Sequence, residues 1–167
     1  MLRPQFRWHT GRRRIGVTLA EVVVVVLILG IVGAISVPQI KQAHDRYAVE
    51  AASRRVLLDL EMARERSKLK STPHTVRFSA APANLYQIAG IPDWSNPTVD
   101  YQVQLGQSPY QTQLRQADFG GNPGVTFNEH GLPEYPGSVQ LQCGHFSVAV
   151  SVDASGEVRI QSVEDRR

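Results

Sequence analysis

Catalysis needs acids, bases or nucleophiles at spacings that bring them together. The reactive candidates in this chain are His44-Asp45, Glu129-His130, the lone His145 and Cys143, with Gly120-Gly121 as a possible cofactor loop. They do not form a constellation. Neighbours on a helix point in different directions, so His44 and Asp45 do not converge, and His130-Gly131 reads as a turn. The chain contains no His-Glu-x-x-His, no Gly-x-Ser-x-Gly and no Gly-Lys-Ser/Thr phosphate loop. His145, beside Gly144, reads as an exposed or structural residue of a hairpin turn, and Gly120-Gly121 as a bend. A single cysteine excludes an intrachain disulfide and a multi-thiolate metal site, and Cys143 in a strand pattern reads as a small buried apolar side chain. The expectation is a protein that performs no chemistry of its own and carries no cofactor or metal.

One charge stands apart from these. Glu21 lies five residues into an apolar run that extends from Val17 to Val37. As a helix this run of about 21 residues is about 31 Å long, enough to cross a bilayer core. A carboxylate within such a span costs about 2.5 kcal/mol near the bilayer centre and less towards the interface, so it needs a partner or a purpose. Arg3, Arg7, Arg12, Arg13 and Arg14 precede the run and set that flank in the cytoplasm. These five exceed the net charge of +3, so the remainder is slightly acidic and offers no global basic footprint for nucleic acid. A secretory signal ending at Ala34-Ile35-Ser36 and a twin-arginine signal at Arg13-Arg14 are the other readings of this region. The length of the run and the acid within it oppose the first, and an arginine pair alone is a weak match to the second.

The elements that position these residues follow from periodicity. Pro38 is expected to kink the helix by removing a backbone donor. Beyond it Val49, Ala52, Val56, Leu60 and Ala63 keep helical spacing, with Arg54, Arg55, Asp59, Glu61, Arg64, Glu65 and Arg66 as a charged surface, up to Ser71-Thr72-Pro73. The basic end from Arg64 to Lys70 reads as a solvated helix terminus whose cations suit the dipole. The period then changes to alternation. Thr75–Phe78 and Leu85–Ile88 form a first hairpin around 81–84, and Val99–Leu105 is a short strand. The Gln-rich stretch from Gly106 to Asp118 reads as a long loop or insertion. Strands return at 125–127, 139–143, 146–152 and 158–160, the last two joined by the turn-rich 153–157. The fold class is α+β: a long N-terminal helix, transmembrane and then amphipathic, packed on an antiparallel β-sheet or β-sandwich domain.

Two regions carry a family resemblance. The basic leader with Gly16-Val17-Thr18-Leu19-Ala20-Glu21 and the apolar run matches the prepilin pattern of glycine, hydrophobic residue, Thr, Leu, aliphatic residue and Glu. Gly124–Phe127, Gly131-Leu132-Pro133, Gly137–Leu141 and Val150 through Ile160 resemble the end of an H-class globular domain. The chain thus resembles type IV pilin-like proteins, specifically H-class pseudopilins of type II secretion and FimT-like minor pilins. The resemblance implies cleavage by a prepilin peptidase between Gly16 and Val17, followed by N-methylation of Val17, where the commonest pattern has Phe. It implies that Glu21 neutralises the amino terminus of a neighbouring subunit during filament assembly, and that Pro38 is the helix bend. The implied segments are a leader 1–16, a transmembrane helix 17–37, an amphipathic continuation 38–70 and a β-rich periplasmic domain 71–167.

Three functions are consistent with this. The leading one is a minor pseudopilin, a structural subunit of a type II secretion pseudopilus in protein export. The alternative is a FimT-like minor type IV pilin that binds DNA or surfaces during uptake or adhesion. The third is a single-pass membrane-anchored β domain without a filament role. The implied location is the bacterial inner membrane, N-terminus cytoplasmic and globular domain periplasmic, with extraction into a filament of pilins or pseudopilins.

Overall fold

The structure is a computed structural model that describes residues 16–93 and 96–165, without the side chains of residues 35–38. The basic leader before Gly16 and the side chain of Pro38, where the kink was expected, lie outside the described residues. One helix, α1, runs Leu19–Lys70, and the chain divides into two compact units, one ending at Gln39 and the other spanning Ile40–Arg167.

In the first unit the helix starts at Thr18, whose side-chain oxygen accepts the Glu21 amide at 3.2 Å while its carbonyl accepts the Val22 amide. Thr18 is thus an N-cap and Glu21 occupies the third helical position, an arrangement that satisfies an orphan donor and places an acid at the positive end of the dipole. The apolar side chains that follow are about half exposed or more, from Leu19 at 83% to Val32 at 54%.

In the second unit the helix presents the inner face that its period requires. Val49, Ala52, Val56, Leu60 and Ala63 are all fully buried. The helix ends in a Schellman-type cap, with Ser71 in the left-handed region at φ 49° and the Thr72 amide donating to the Ser67 carbonyl at 3.2 Å. Pro73 then bars continuation.

Among the described residues nine strands form two antiparallel sheets. Strands β1 (His74–Ser79), β2 (Leu85–Pro92), β3 (Asp100–Gln104) and β5 (Gly124–Phe127) make the first, in the order β3-β2-β1-β5. Strands β4 (Gln113–Phe119), β6 (Gly137–Cys143), β7 (Phe146–Val152) and β8 (Val158–Ile160) make the second in that order, and β9 (Glu164–Asp165) also pairs with β7. The hairpin expected from 75–78 and 85–88 is β1–β2, with Phe78 opposite Tyr86. The two sheets and the inner helix face share one core, and Phe78 of β1 stacks on Phe119 of β4 with ring centroids 5.9 Å apart.

The Gln-rich stretch is not the long loop expected. It contains β4, an edge strand that buries Leu114 and Phe119. A bulge between Leu114 and Gln116 shifts the register against β6, so the inward positions are 114, 117 and 119. That displaces the alternation by one residue and hides the period-two signal.

Candidate functional site

The residues that the sequence singles out as a processing and assembly site lie together because they are contiguous. Gly16 and Val17 precede the helix outside any regular element and are exposed, and a Cβ at Gly16 would meet nothing within 4 Å. Glu21 is exposed on the first turn, and its carboxylate has no partner among the described residues. Such a segment can be reached by a protease at its start and can supply one uncompensated negative charge at the mouth of an apolar helix.

The remaining chemistry-bearing side chains are dispersed. His44, His130 and His145 are exposed, and among the described residues the one close contact between a histidine and an acid is His130 Nε2 to Glu129 Oε1 at 3.5 Å in an exposed turn. His74 is buried and its Nδ1 lies 3.0 Å from the Thr72 carbonyl. Cys143 is buried as expected, with Sγ 3.8 Å from Asp45 Oδ1, and burial followed by that neighbouring carboxylate pushes its thiol pKa up. Among the described residues no three His, Cys, Asp or Glu side chains gather as metal ligands would.

Two polar constellations in the second unit were not read from the sequence. Asp59, expected on the charged surface, is 5% exposed. Its Oδ2 accepts from the Tyr86 hydroxyl at 2.5 Å, the Tyr101 hydroxyl at 3.0 Å and Arg55 Nε at 3.1 Å, while Arg55 Nη2 donates to the Tyr101 oxygen. Burial, followed by the Asp59 carboxylate, raises the Tyr86 pKa, which keeps that phenol a donor. Burial likewise raises Tyr101. This cluster joins α1 to β2 and β3.

The second constellation centres on Arg64. Its guanidinium donates to the carbonyls of Gly131 at 3.2 Å and Ser155 at 3.1 Å. Gly131 and Gly156, both at positive φ, lie so close that a Cβ on Gly156 would strike the Gly131 carbonyl and come within 3.0 Å of Arg64 Nε. Lys68 pairs with Glu65 at 2.8 Å. The basic helix end is therefore partly consumed internally, and Arg64 is an anchor for two loops rather than a solvated cation.

Comparison with known structures resolves the fold. The crystal structure of the type IV minor pilin FimU of Pseudomonas aeruginosa matches with TM-score 0.54 and 11% identity, over 70% of this chain and 90% of that one. The minor pseudopilin EpsH, from the type 2 secretion system of Vibrio cholerae, matches with TM-score 0.53 and 15% identity, over 68% of this chain and 96% of that one. The fold is type IV pilin-like. A second crystal form of FimU gives TM-score 0.51 at 9% identity. No protein-family model and no curated protein sequence matches. Within this fold the loops at 131 and 155 both reach back to α1 through Arg64. The apolar N-terminal helix fits a single membrane anchor by length and composition.

Proposed function

We propose that the chain is a minor pseudopilin, a structural subunit of a type II secretion pseudopilus. The observation that carries this reading is Glu21, without a carboxylate partner among the described residues, in the first turn of an exposed apolar helix on a chain with a pilin-like fold. EpsH, itself a minor pseudopilin, is similar over nearly its whole length. In this reading the leader 1–16 is removed by a prepilin peptidase, residues 17–37 anchor the subunit in the inner membrane, residues 38–70 continue the helix, and residues 71–167 form the periplasmic domain. Glu21 receives the positive amino terminus of a neighbouring subunit, which offsets the cost of keeping a carboxylate in lipid.

Intact-mass measurement of the membrane-extracted protein is expected to give a chain that begins at Val17, and retention of residues 1–16 would sink the filament reading. Glu21→Ala is expected to insert normally yet fail to assemble. A contact that offsets about 2.5 kcal/mol in the span corresponds to a loss of at least roughly tenfold in recovered filament. Shear fractionation of cells that overproduce the subunit measures it, and parental filament yield from Glu21→Ala would contradict the role of Glu21.

A further inference from the structure

On the outer face of the first sheet, β1, β5 and the chain at 134–135 enclose an open groove of about 430 Å³. That volume falls within the roughly 300–1,000 Å³ of small-molecule sites. Its floor holds Thr75 and Thr126, whose hydroxyls bond each other at 2.9 Å, with Gly124 next along β5. Tyr135, 47% exposed, forms a wall, and its side chain is seated on Gly120, where a Cβ would fall 2.6 Å from the Tyr135 Cγ. Arg77 leans over Gly124, where a Cβ would lie 3.5 Å from the Arg77 Cγ. A side chain at either glycine would move these walls.

The charges of the groove say what it takes. Arg77 and Glu134 are the charged residues of its lining, and neither has an ion pair or a side-chain hydrogen bond among the described residues. Exposed charges elsewhere on the domain do pair, as in Lys68 with Glu65 and Arg159 with Glu157. Arg77 stands opposite Gly124, and Glu134 lies beyond β5 from β1, its amide donating to the Thr126 carbonyl at 2.8 Å. Two strand spacings across and two residues along put their Cα atoms about 12 Å apart. A ligand that meets both carries an anion at one end and a cation at the other.

The edge of β5 says what joins those ends. The amide and carbonyl of one strand residue point to the same side, and the side alternates along the strand. Thr126 turns its carbonyl away from β1 to Glu134, so Gly124 presents both of its backbone groups on that side too. The bridge of Phe127 with Pro133 and the bond from Glu134 cover β5 only from Thr126 onwards among the described residues. A single amino acid is too short for both charges, and an uncharged glycan leaves both unused. An extended tripeptide spans about 10 Å and carries amides between its charged ends.

We propose that this groove binds a short, free-ended peptide of about three residues. Its carboxylate rests on Arg77, its ammonium on Glu134, and its backbone amides on Gly124. The site stands whether or not Glu21 acts in a filament, since its lining lies wholly within the β-rich part.

The test titrates trialanine into the isotope-labelled full chain in detergent micelles and follows backbone amides by NMR. Saturable shifts at Gly124 and Thr126 with a Kd of about 1 mM or tighter are expected. No saturable shift up to about 10 mM, or shifts confined to residues outside the groove, overturns the proposal. Trialanine amide and acetyl-trialanine, each lacking one end charge, are expected to bind about two- to fivefold more weakly, the range of an exposed ion pair. Arg77→Gln is expected to weaken trialanine by that factor and to leave trialanine amide unchanged. Glu134→Gln is expected to do the same with acetyl-trialanine as the unaffected ligand. Losses that are equal for all three ligands show no coupling between side chain and peptide end, and overturn the proposal.

Discussion

Asp59→Ala is expected to destabilise the pilin-like domain by about 3 kcal/mol, seen as a fall of roughly 10 °C in the thermal midpoint. One carboxylate oxygen accepts three donors here, and two come from β2 and β3 across the helix–sheet boundary. The Tyr86 side chain is fully buried, so deleting its acceptor leaves a hydroxyl without water or a partner, at a cost of about 1–3 kcal/mol. The truncation also strands the Arg55 guanidinium beside Tyr101 and opens a small void. Tyr86→Phe is expected to cost about 1 kcal/mol, because Asp59 keeps Tyr101 and Arg55. The double variant should lose less than the sum of the two, since each single change removes the same bond. Near-ultraviolet circular dichroism of the detergent-solubilised chain follows the melt. A midpoint for Asp59→Ala within about 2 °C of the parent would show that the cluster does not hold helix to sheet.

Gly137→Ala should be similarly severe for a steric reason. Gly137 opens β6 opposite Phe119 at the end of β4. A Cβ there would fall on the Asp118 carbonyl oxygen and lie 2.7 Å from Phe119 Cα, so backbone rather than a pliable side chain must yield. Moving the end of β4 also unseats the Phe119 ring from Phe78, the stack that joins the two sheets. We expect a loss of about 3 kcal/mol, at the upper end for overpacking. Gly121→Ala is the comparison: its Cβ meets nothing within 4 Å, and only its φ of 90° opposes substitution, at about 1–2 kcal/mol. Equal midpoints for the two variants would refute the steric account.

What the sequence discloses about this fold depends on whether a signal is local. The inner helix face is legible because burial follows a period of 3.6, and Val49 through Ala63 obey it without exception. Asp59 is misassigned because its composition says surface, while the donors that retain it inside are 27 and 42 residues away. Strand β4 is lost to one inserted residue in its register. The division into two sheets is not legible either, because β5 passes over β4 to rejoin β1, and alternation says which residues face inwards but not which neighbour they face. At the candidate site the motif from Gly16 to Glu21 is read directly from residue types, and the structure adds that Thr18 is the helix cap. The anchoring role of Arg64 had only the glycines at 131 and 156 as a clue.

That anchor also constrains the order in which the molecule is made. Arg64 is bonded to residues 67 and 91 positions further along the chain. The helix emerges from the ribosome first, but Arg64 cannot make both of its loop contacts until the loop at 155 has been translated and has come back to it. Throughout that interval Val49, Val56 and Leu60 lack part of their native cover. Contacts this distant close slowly. The globular part thus cannot complete its fold until the residues around 155 have been made.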